Sequence, residues 1–300
     1  MNRARAIDWA FVRRATWWIV PLGFFALTIV VIYKYVLSPK WLGLDASLYT
    51  AATGAWLSGL NPWDVSQDGV YFAAPPPSLL PYVAFVWMPA GLVSLVVVAI
   101  SVGLAVLTIR TLRLPFWWLV FPPLVDGVLV GNANVAVLAL LVLASGRLAP
   151  LAVFLKIYAL IPMIGERRWR QVGITVALLA ASLLVLPWGS WFAQLDRINT
   201  NLELTSATTS VFGQPVLMAI GVVALLSLGL RRAGWLAVPL LWPNTQLHYA
   251  AISVPGLTPY LALVWCYPIP EVWLAGICVL AVHDRFIKVP GQTGTVGPSD

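Results

Sequence analysis

Charge is scarce in this chain. Asp, Glu, Lys and Arg make up 10% of its 300 residues, against about 25% in a typical soluble globular domain. Hydrophobic residues reach 60% and tryptophan occurs 16 times, a residue enriched at membrane–water interfaces. These values exclude a soluble globular domain and predict an all-α, polytopic, multi-pass integral membrane protein.

Cysteine and the motifs of soluble enzymes are also scarce. Cys266 and Cys278 both lie in apolar runs and predict neither a disulfide framework nor a metal site. The sequence has no HExxH zinc motif, no GxSxG nucleophile motif and no glycine loop for a nucleotide. We therefore expect no cofactor and no bound metal.

Long apolar runs dominate instead. The first, from Thr16 to Leu37, follows a basic N-terminus and is not followed by a small-residue cleavage site, so it predicts a retained transmembrane helix rather than a signal peptide. Further runs lie near 76–88, 91–109, 115–130, 132–145, 148–164, 171–187, 212–230, 233–243, 249–266 and 270–283. Because prolines interrupt several short runs, we expect about 9–11 membrane segments, some of them broken around a cavity. This membrane domain would span 1–288, with a polar, disordered tail at 289–300.

The basic residues indicate a topology. The net charge is +7, and half of the 18 Lys and Arg residues lie in three clusters: Arg3/Arg5/Arg13/Arg14, Arg167/Arg168/Arg170 and Arg231/Arg232. With the N-terminus inside and one crossing per segment, all three clusters lie inside, as the positive-inside rule requires, and the 38–77 loop lies outside. Arg110, Arg113 and Arg147 fall outside in this scheme, which indicates one miscounted short segment. The basic charge therefore predicts membrane topology and no nucleic-acid partner.

The 38–77 loop combines carboxylates with aromatic residues. Asp45 opens a predicted helix that ends near Gly59, and Tyr49 and Trp56 share its face at helical spacing. A carboxylate beside aromatic rings suits a sugar, because the acid can take a hydroxyl proton while the rings cover apolar sugar faces. The alternative is that Asp45 only caps the helix. Asp64 and Asp68 lie at the turn signals Asn61-Pro62 and Asp68-Gly69, so they either bind an acceptor or are solvated turn carboxylates.

Polar residues inside the later apolar runs are further candidates. Asn132 and Asn134 follow Asp126 in one run, and they predict either a functional site or interhelical hydrogen bonds. Lys156 either reaches the membrane interface with its amino group or faces a lipid phosphate or a carboxylate. His248 is predicted on the same face as Asp45, where it could donate to a phosphate or assist proton transfer, or simply be packed.

Three other polar residues complete the candidate set. Asn244 and Gln246 form a polar patch before His248, and Arg197 lies in the predicted external loop 188–211. The catalytic candidates are Asp45 and His248. The residues expected to bind substrate are Tyr49, Trp56, Asn61, Asp64, Asp68, Asn132, Asn134, Lys156, Arg197, Asn244 and Gln246.

In the order and spacing of these motifs the chain resembles the C-type superfamily of membrane glycosyltransferases, and within it glycosyltransferase family 87, the polyprenyl-phosphate-mannose-dependent α-mannosyltransferases. The residues that carry the resemblance are Asp45 and Tyr49; Gly59, Asn61, Pro62 and Trp63; Gly131, Asn132 and Asn134; Lys156 and Tyr158; and Pro243 and His248. Trp63 stands where tyrosine is usual, and Asn132 stands where glutamine is usual.

The resemblance implies an inverting glycosyltransferase that moves a hexose, mannose in this family, from a polyprenyl-phosphate sugar to a lipid or glycan acceptor. Asp45 would be the base, and His248 with Lys156 or Arg197 would stabilise the leaving phosphate. A lipid phosphate leaves without a nucleotide diphosphate, so no metal is obligatory. The implied location is a bacterial plasma membrane among membrane lipids, with the active site facing outward.

Two other classes of protein fit part of the pattern. A secondary transporter or lipid flippase would also have broken helices and buried polar groups, but would concentrate them at the membrane midplane. A non-catalytic assembly subunit would tolerate the loss of Asp45. The polar groups of this sequence gather at one predicted face, which favours the transferase.

Overall fold

The structure, a computed structural model, describes residues 9–205 and 208–286. This part of the chain is mostly helical. Its α-helices, in chain order, are α1 (Trp9–Leu37), α2 (Leu44–Leu57), α3 (Ala90–Thr111), α4 (Pro122–Leu129), α5 (Asn134–Val142), α6 (Leu160–Gly165), α7 (Trp169–Val185), α8 (Trp188–Ala193), α9 (Leu195–Thr205), α10 (Pro215–Ser227), α11 (Leu230–Leu241), α12 (Pro259–Val264) and α13 (Pro270–Phe286). The predicted tail at 289–300 lies outside the described residues.

Short 3-10 helices fill many of the connections, in keeping with prolines that cannot donate a backbone hydrogen bond. They are Pro39–Trp41, Pro62–Asp64, Pro76–Phe85, Phe116–Val120, Leu143–Gly146, Ala149–Phe154, Ile157–Ala159 and Leu247–Gly256. One small hairpin pairs β1 (Ser66–Gln67) with β2 (Val70–Tyr71) in antiparallel register. Its turn is Asp68-Gly69, and both residues have positive φ, 51° and 81°, as a two-residue hairpin turn of this handedness requires. The predicted turn is confirmed.

Within residues 9–205 and 208–286, two helices are long and apolar enough to cross a membrane. They are the Trp18–Leu37 part of α1 and the whole of α3, and α4 with α5 would make a third span if this pair, bent by 116°, is counted as one. The apolar runs at 171–187 and 212–230 form the shorter helices α7 and α10. The structure therefore shows a mostly helical protein with two or three candidate membrane spans.

The apolar run at 76–88 is not the transmembrane helix that the sequence predicted. It forms the ten-residue 3-10 helix Pro76–Phe85, which packs against α2. The physical reason is its composition, because prolines at 76, 77 and 81 remove three backbone donors that a continuous α-helix needs. The chain therefore does not cross the molecule between the 38–77 loop and α3.

The direction of α3 places two of the three arginines that contradicted the predicted topology. Near its start, α3 contacts the loop, where Ser94 Oγ donates to the Gly43 carbonyl at 3.2 Å. After 22 residues, or about 33 Å of helix, its last residue Thr111 lines a cavity together with Arg168 and Arg232. Arg110 and Arg113 therefore lie at the same end of the molecule as the two later clusters.

The molecule consequently has two ends of different character. We call one the arginine end; its basic residues are Arg110, Arg113, Arg167, Arg168, Arg170, Arg231 and Arg232. The other, the Asp45 end, contains α2, the 38–77 loop and the bend between α4 and α5. A large hydrophobic core joins them, and a second core at the Asp45 end contains Tyr49, Trp63, Phe72 and Tyr82. Each buried aromatic side chain in this second core contributes about 1.5–3 kcal/mol, which holds the loop in place.

Candidate active site

The first turn of α2 is fixed to the bend between α4 and α5. The backbone amides of Gly43 and Asp45 donate to the carbonyls of Leu129 and Val130 at 2.8 and 3.0 Å. Gly131, at the bend, has φ 70°, and a Cβ on it would lie 3.1 Å from that of Ala46. Glycine is therefore required here both for its backbone conformation and for the close approach of the two segments.

Asp45 is not the cap of α2, so that alternative is wrong. The N-cap is Gly43, with φ 66° and no side-chain capping bond. Asp45 lies one residue inside the helix, where its negative charge still interacts favourably with the helix dipole. Its carboxylate is thus free to point toward α4 and α5.

A continuous chain of side-chain hydrogen bonds starts at this carboxylate. Asn132 Nδ2 donates to Asp45 Oδ2 at 2.5 Å and lies 3.0 Å from His248 Nε2. On the far side of the ring, His248 Nδ1 lies 3.2 Å from Asp126 Oδ2. The fold thus brings together four residues from three separate segments of the polypeptide. Two of them, Asp45 and His248, are the catalytic candidates.

The bonds define the orientation of each group in the chain. The backbone N–H of Asn134 donates to Asn132 Oδ1 at 2.9 Å, so the Asn132 NH₂ group faces Asp45 and His248. The Asn132 NH₂ group can only donate, so His248 Nε2 accepts one of its hydrogens. The proton of the neutral imidazole ring is then on Nδ1 and is donated to Asp126. Through these hydrogen bonds Asp126 orients the His248 ring, the ring orients the Asn132 amide, and the amide orients the Asp45 carboxylate.

The side chains of this hydrogen-bonded chain are buried, except for the Asp45 carboxylate. The residues Asp126, Asn132 and His248 each expose 4% of their surface, whereas Asp45 is only half-buried. Buried polar groups of this kind are stable only when hydrogen-bonded, and each of these three is. A ligand would therefore meet this chain at Asp45.

Two residues of α1 contact Asp126, at the end of the hydrogen-bonded chain opposite Asp45. Tyr35 Oη donates to Asp126 Oδ1 at 2.9 Å, and Lys34 Nζ lies 3.4 Å from the same oxygen. The sequence does not single out Lys34 or Tyr35, and Asp126 is not among its candidate catalytic or substrate-binding residues. The sequence offers only a weak indication of Lys34 and Tyr35, namely that they are polar residues at the end of the first apolar run, close to the acidic loop.

Lys156 lies in the same region and is 8% exposed. Its Nζ donates to Tyr49 Oη at 2.7 Å and lies 5.2 and 5.8 Å from the ring centres of Tyr49 and Tyr249. The side chain is therefore enclosed by the protein rather than extended to its surface. Within the described residues no carboxylate forms an ion pair with it.

The partner of Lys156 is a neutral phenol. Burial, and after it the nearby Asp45 carboxylate, raise the pKa of Tyr49 far above its usual range. The Lys156 amino group therefore lies among aromatic rings, with no carboxylate of the described residues within ion-pair distance. A buried cation of this kind carries a large desolvation cost, which an anionic ligand would reduce.

Asn134 also has hydrogen-bonding capacity to spare. It is fully buried, its Oδ1 accepts from the Tyr158 hydroxyl, and its Nδ2 has no hydrogen-bond partner in the structure. Tyr158 in turn packs on Trp242 and Tyr249, with ring centres 5.3 and 5.6 Å apart. The region thus combines aromatic walls with an unpaired amide donor, a combination suited to a polar ligand such as a sugar.

The turn after α2 has a structural role. Asn61 Oδ1 accepts from the Trp63 amide at 3.3 Å, and its Nδ2 donates to Asp64 Oδ2 at 2.9 Å. Asp64 also pairs with Arg197 of α9, and mainly through this bond the pKa of its carboxyl is lowered. Asp68 lies in the hairpin turn, 3.8 Å from Lys40. The structure therefore shows Asn61, Asp64 and Asp68 as turn residues. Their contacts with a substrate stay predictions.

The remaining candidates lie further from the hydrogen-bonded chain. Trp56 is half-buried and packs against the second core, on the helix face shared with Tyr49. Asn244 has φ 54° in a turn, and Gln246 is exposed. Among the described residues, no side-chain bond joins either of these two to Asp45, Asn132 or His248, and their binding roles stay predictions.

Comparison with known proteins gives no identification, since no family model, curated protein or solved structure matches this chain.

Proposed function

We propose that this chain is a membrane-embedded, inverting glycosyltransferase of the C-type superfamily, similar to family 87. In this proposal it transfers a hexose, with mannose the first candidate, from a polyprenyl-phosphate sugar to a lipid or glycan acceptor. The observation that carries the proposal is the half-buried Asp45 carboxylate at the end of the buried chain of Asn132, His248 and Asp126. A positioned base at a ligand-accessible edge is what hydroxyl activation needs.

In the proposed reaction, Asp45 takes the proton of the acceptor hydroxyl as its oxygen attacks the anomeric carbon. The bond between that carbon and the lipid phosphate breaks, and the configuration inverts. Asn132 orients the carboxylate, since it donates to one oxygen and leaves the other for the hydroxyl. His248 supports Asn132 from behind, because its Nε2 already accepts from this amide. We therefore assign His248 a positioning role rather than contact with the phosphate.

Lys156 is the group we propose for the leaving phosphate. It is a buried ammonium without a carboxylate partner, and developing charge on a phosphate oxygen is stabilised most by a donor placed in a water-poor site. A cavity of about 110 Å³ next to Asn132 is lined mostly by apolar residues, among them Phe85, Ile100 and Leu104. Such a cavity at the side of α3 suits the first units of a prenyl chain.

The proposed orientation follows from the two ends of the molecule. The positive-inside rule assigns the arginine end to the cytoplasm, so the Asp45 end would face outward from a bacterial plasma membrane. In this proposal the shorter helices and broken pairs complete the C-type fold of about 9–11 segments. The rival transporter class is supported by the bend between α4 and α5, and would predict substrate movement without sugar transfer.

The test is the Asp45→Asn variant in proteoliposomes supplied with a panel of polyprenyl-phosphate sugars. We expect sugar transfer to be abolished while expression and thermal unfolding remain unchanged. The matched control is Asp196→Asn, which alters an exposed carboxylate of α9 outside the candidate site and should retain transfer. Full activity of Asp45→Asn would reject this residue as the base. Donor uptake across the membrane without any transfer would instead support the transporter.

A further inference from the structure

A cavity of about 890 Å³ opens at the arginine end. It lies between the turn after α6, the first turn of α11, the end of the Leu247–Gly256 helix and the last turn of α3. Its volume falls within the usual range for small-molecule sites, about 300–1,000 Å³. Because it lies at the opposite end of α3 from Asp45, it is separate from the proposed active site.

Two of the four arginines that line this cavity are committed to the fold. Arg168 donates to the Leu141 carbonyl at 2.7 Å and pairs with Glu166. Arg232 donates to the Gly256 carbonyl at 2.9 Å and pairs with Asp284 at 3.0 Å. Their guanidinium groups therefore fix the cavity wall and are largely used.

The other two arginines are available to a ligand. The Arg231 side chain is 85% exposed, and only its Nε approaches Glu166, at 3.6 Å. The Arg167 side chain is exposed and has no side-chain hydrogen bond or ion pair within the described residues. Glu166 is also bonded by Arg168 and by Trp235 Nε1, so its single negative charge is shared and leaves this group of arginines positive.

The helix ends make the excess of positive charge unfavourable unless an anion is bound. The cavity contains the first turn of α11, which begins at Leu230, carries Arg231 and Arg232, and has neither an acidic residue nor a side-chain cap. The 17-residue helix α7 begins directly after Arg167 and Arg168, also without an acid in its first turn. Cationic side chains at a helix N-terminus are repelled by the positive end of the helix dipole. A phosphate at the same place is stabilised by the dipole and by the backbone N–H groups of the first turn.

The walls of the cavity indicate the source of the anion. Leu112, Leu228 and Leu257 line it beside the arginines, and Leu230 at its edge is 50% exposed. We propose that this cavity binds a phosphate-bearing anion, namely the headgroup phosphate of an anionic membrane lipid, with Arg167 and Arg231 as its ligands and the acyl chains beside the leucines. Guanidinium groups suit phosphate because they donate two parallel hydrogen bonds. The proposal does not depend on the glycosyltransferase reaction.

The test is lipid binding to the full-length protein in neutral detergent, measured by native mass spectrometry. The probes are dioleoyl phosphatidylglycerol, dioleoyl phosphatidylcholine and inorganic phosphate. We expect the first bound phosphatidylglycerol to bind at least tenfold more tightly than phosphatidylcholine. The Arg167→Gln/Arg231→Gln double variant should lose this preference. The control is Arg113→Gln/Arg170→Gln, which removes the same charge at the same end outside the cavity and should keep it.

Each contrary result has a defined meaning. Equal weakening by both double variants would show general attraction to surface charge and would overturn the site. Equal binding of phosphatidylcholine would overturn the selectivity for an anionic lipid. Competition by inorganic phosphate at matching affinity would overturn the lipid assignment in favour of a soluble phosphate ligand. Unchanged melting temperatures without lipid will show that the variants are folded.

Discussion

The two ends of the molecule handle charge in opposite ways. At the Asp45 end, polar groups are connected in series, from the exposed Lys34 through the buried Asp126, His248 and Asn132 to the half-buried Asp45. At the arginine end, the charges lie close to the surface in local pairs, and Arg231 remains 85% exposed. Interactions among buried charges are strong because the surroundings screen them little, whereas exposed pairs contribute about 0–1 kcal/mol.

This difference predicts where substitutions will matter. A change in the buried hydrogen-bonded chain at the Asp45 end should alter the proposed activity strongly, since each buried group orients the next. A change in an exposed pair should have a small effect on both activity and stability. Four substitutions test the contrast, beginning with the one of largest expected effect.

Lys156→Met should separate activity from stability. We expect the initial rate of transfer from a polyprenyl-phosphate sugar to fall about 100-fold, because one donor to a developing charge is lost. The melting temperature should stay the same or rise, because the substitution removes a buried cation without a carboxylate partner. Lys40→Met, which alters a lysine loosely paired with Asp68 at 3.8 Å, is the matched control. A large fall in melting temperature with full activity would contradict the phosphate assignment.

Asp126→Asn should lower the rate without weakening substrate binding. The neutral amide is a weaker acceptor for His248 Nδ1 than the carboxylate, so the ring and Asn132 are held less firmly. Loss of such indirect support typically costs about 10–100-fold. We expect kcat to fall by this amount with KM unchanged, measured from steady-state transfer kinetics. Asp284→Asn alters the carboxylate paired with Arg232 at the arginine end and is expected to leave kcat unchanged; equal losses in both variants would remove the contrast.

Gly131→Ala should destabilise the protein by about 1–2 kcal/mol. Alanine is disfavoured at φ 70°, and its Cβ would press on that of Ala46, 3.1 Å away. Thermal unfolding in detergent will measure the change. Gly103→Ala in α3 is the matched control, since nothing lies within 4 Å of a Cβ there, and it should be neutral or slightly stabilising. A stable Gly131→Ala protein would show that α2 and the bend can separate.

Arg197→Gln should have the smallest effect. Its ion pair with Asp64 is about half exposed on both sides, and such pairs contribute little. Because the folded-state pKa of Asp64 is lowered, any contribution is present above the unfolded pKa and disappears as the pH falls through the folded one. Melting temperatures of the variant and the parent should therefore differ slightly near neutral pH and converge in acid. A difference that grows in acid would contradict this assignment.

The sequence predicted local features better than distant contacts. The helix that carries Asp45, the Asp68-Gly69 turn and the first long apolar helix are all present, because each depends on neighbouring residues. The run at 76–88 was predicted wrongly, since hydropathy counted its apolar residues while the prolines prevented an α-helix. The misplaced Arg110 and Arg113 were the sign of that error.

The sequence predicted the part of the candidate site nearest Asp45 better than its buried support. Asp45, Asn132 and His248 were selected, and the structure places them in one hydrogen-bonded chain. The support by Asp126 and Tyr35 could not be read from sequence, because these residues lie 91 positions apart and meet only through the packing of α1 on α4. Whether these residues perform the proposed chemistry stays a prediction.

The amide of Asn132 separates two acid–base groups that would otherwise exchange protons. An amide NH₂ donates hydrogen bonds at neutral pH but does not readily pass a proton through itself, so Asp45 and His248 share orientation without sharing a proton. In the proposed reaction, the proton that Asp45 gains in each cycle must therefore leave toward water through its own half-exposed side. Resetting of the base would then depend on water at that exposed side, and a solvent isotope effect would report on this proton transfer rather than on the imidazole.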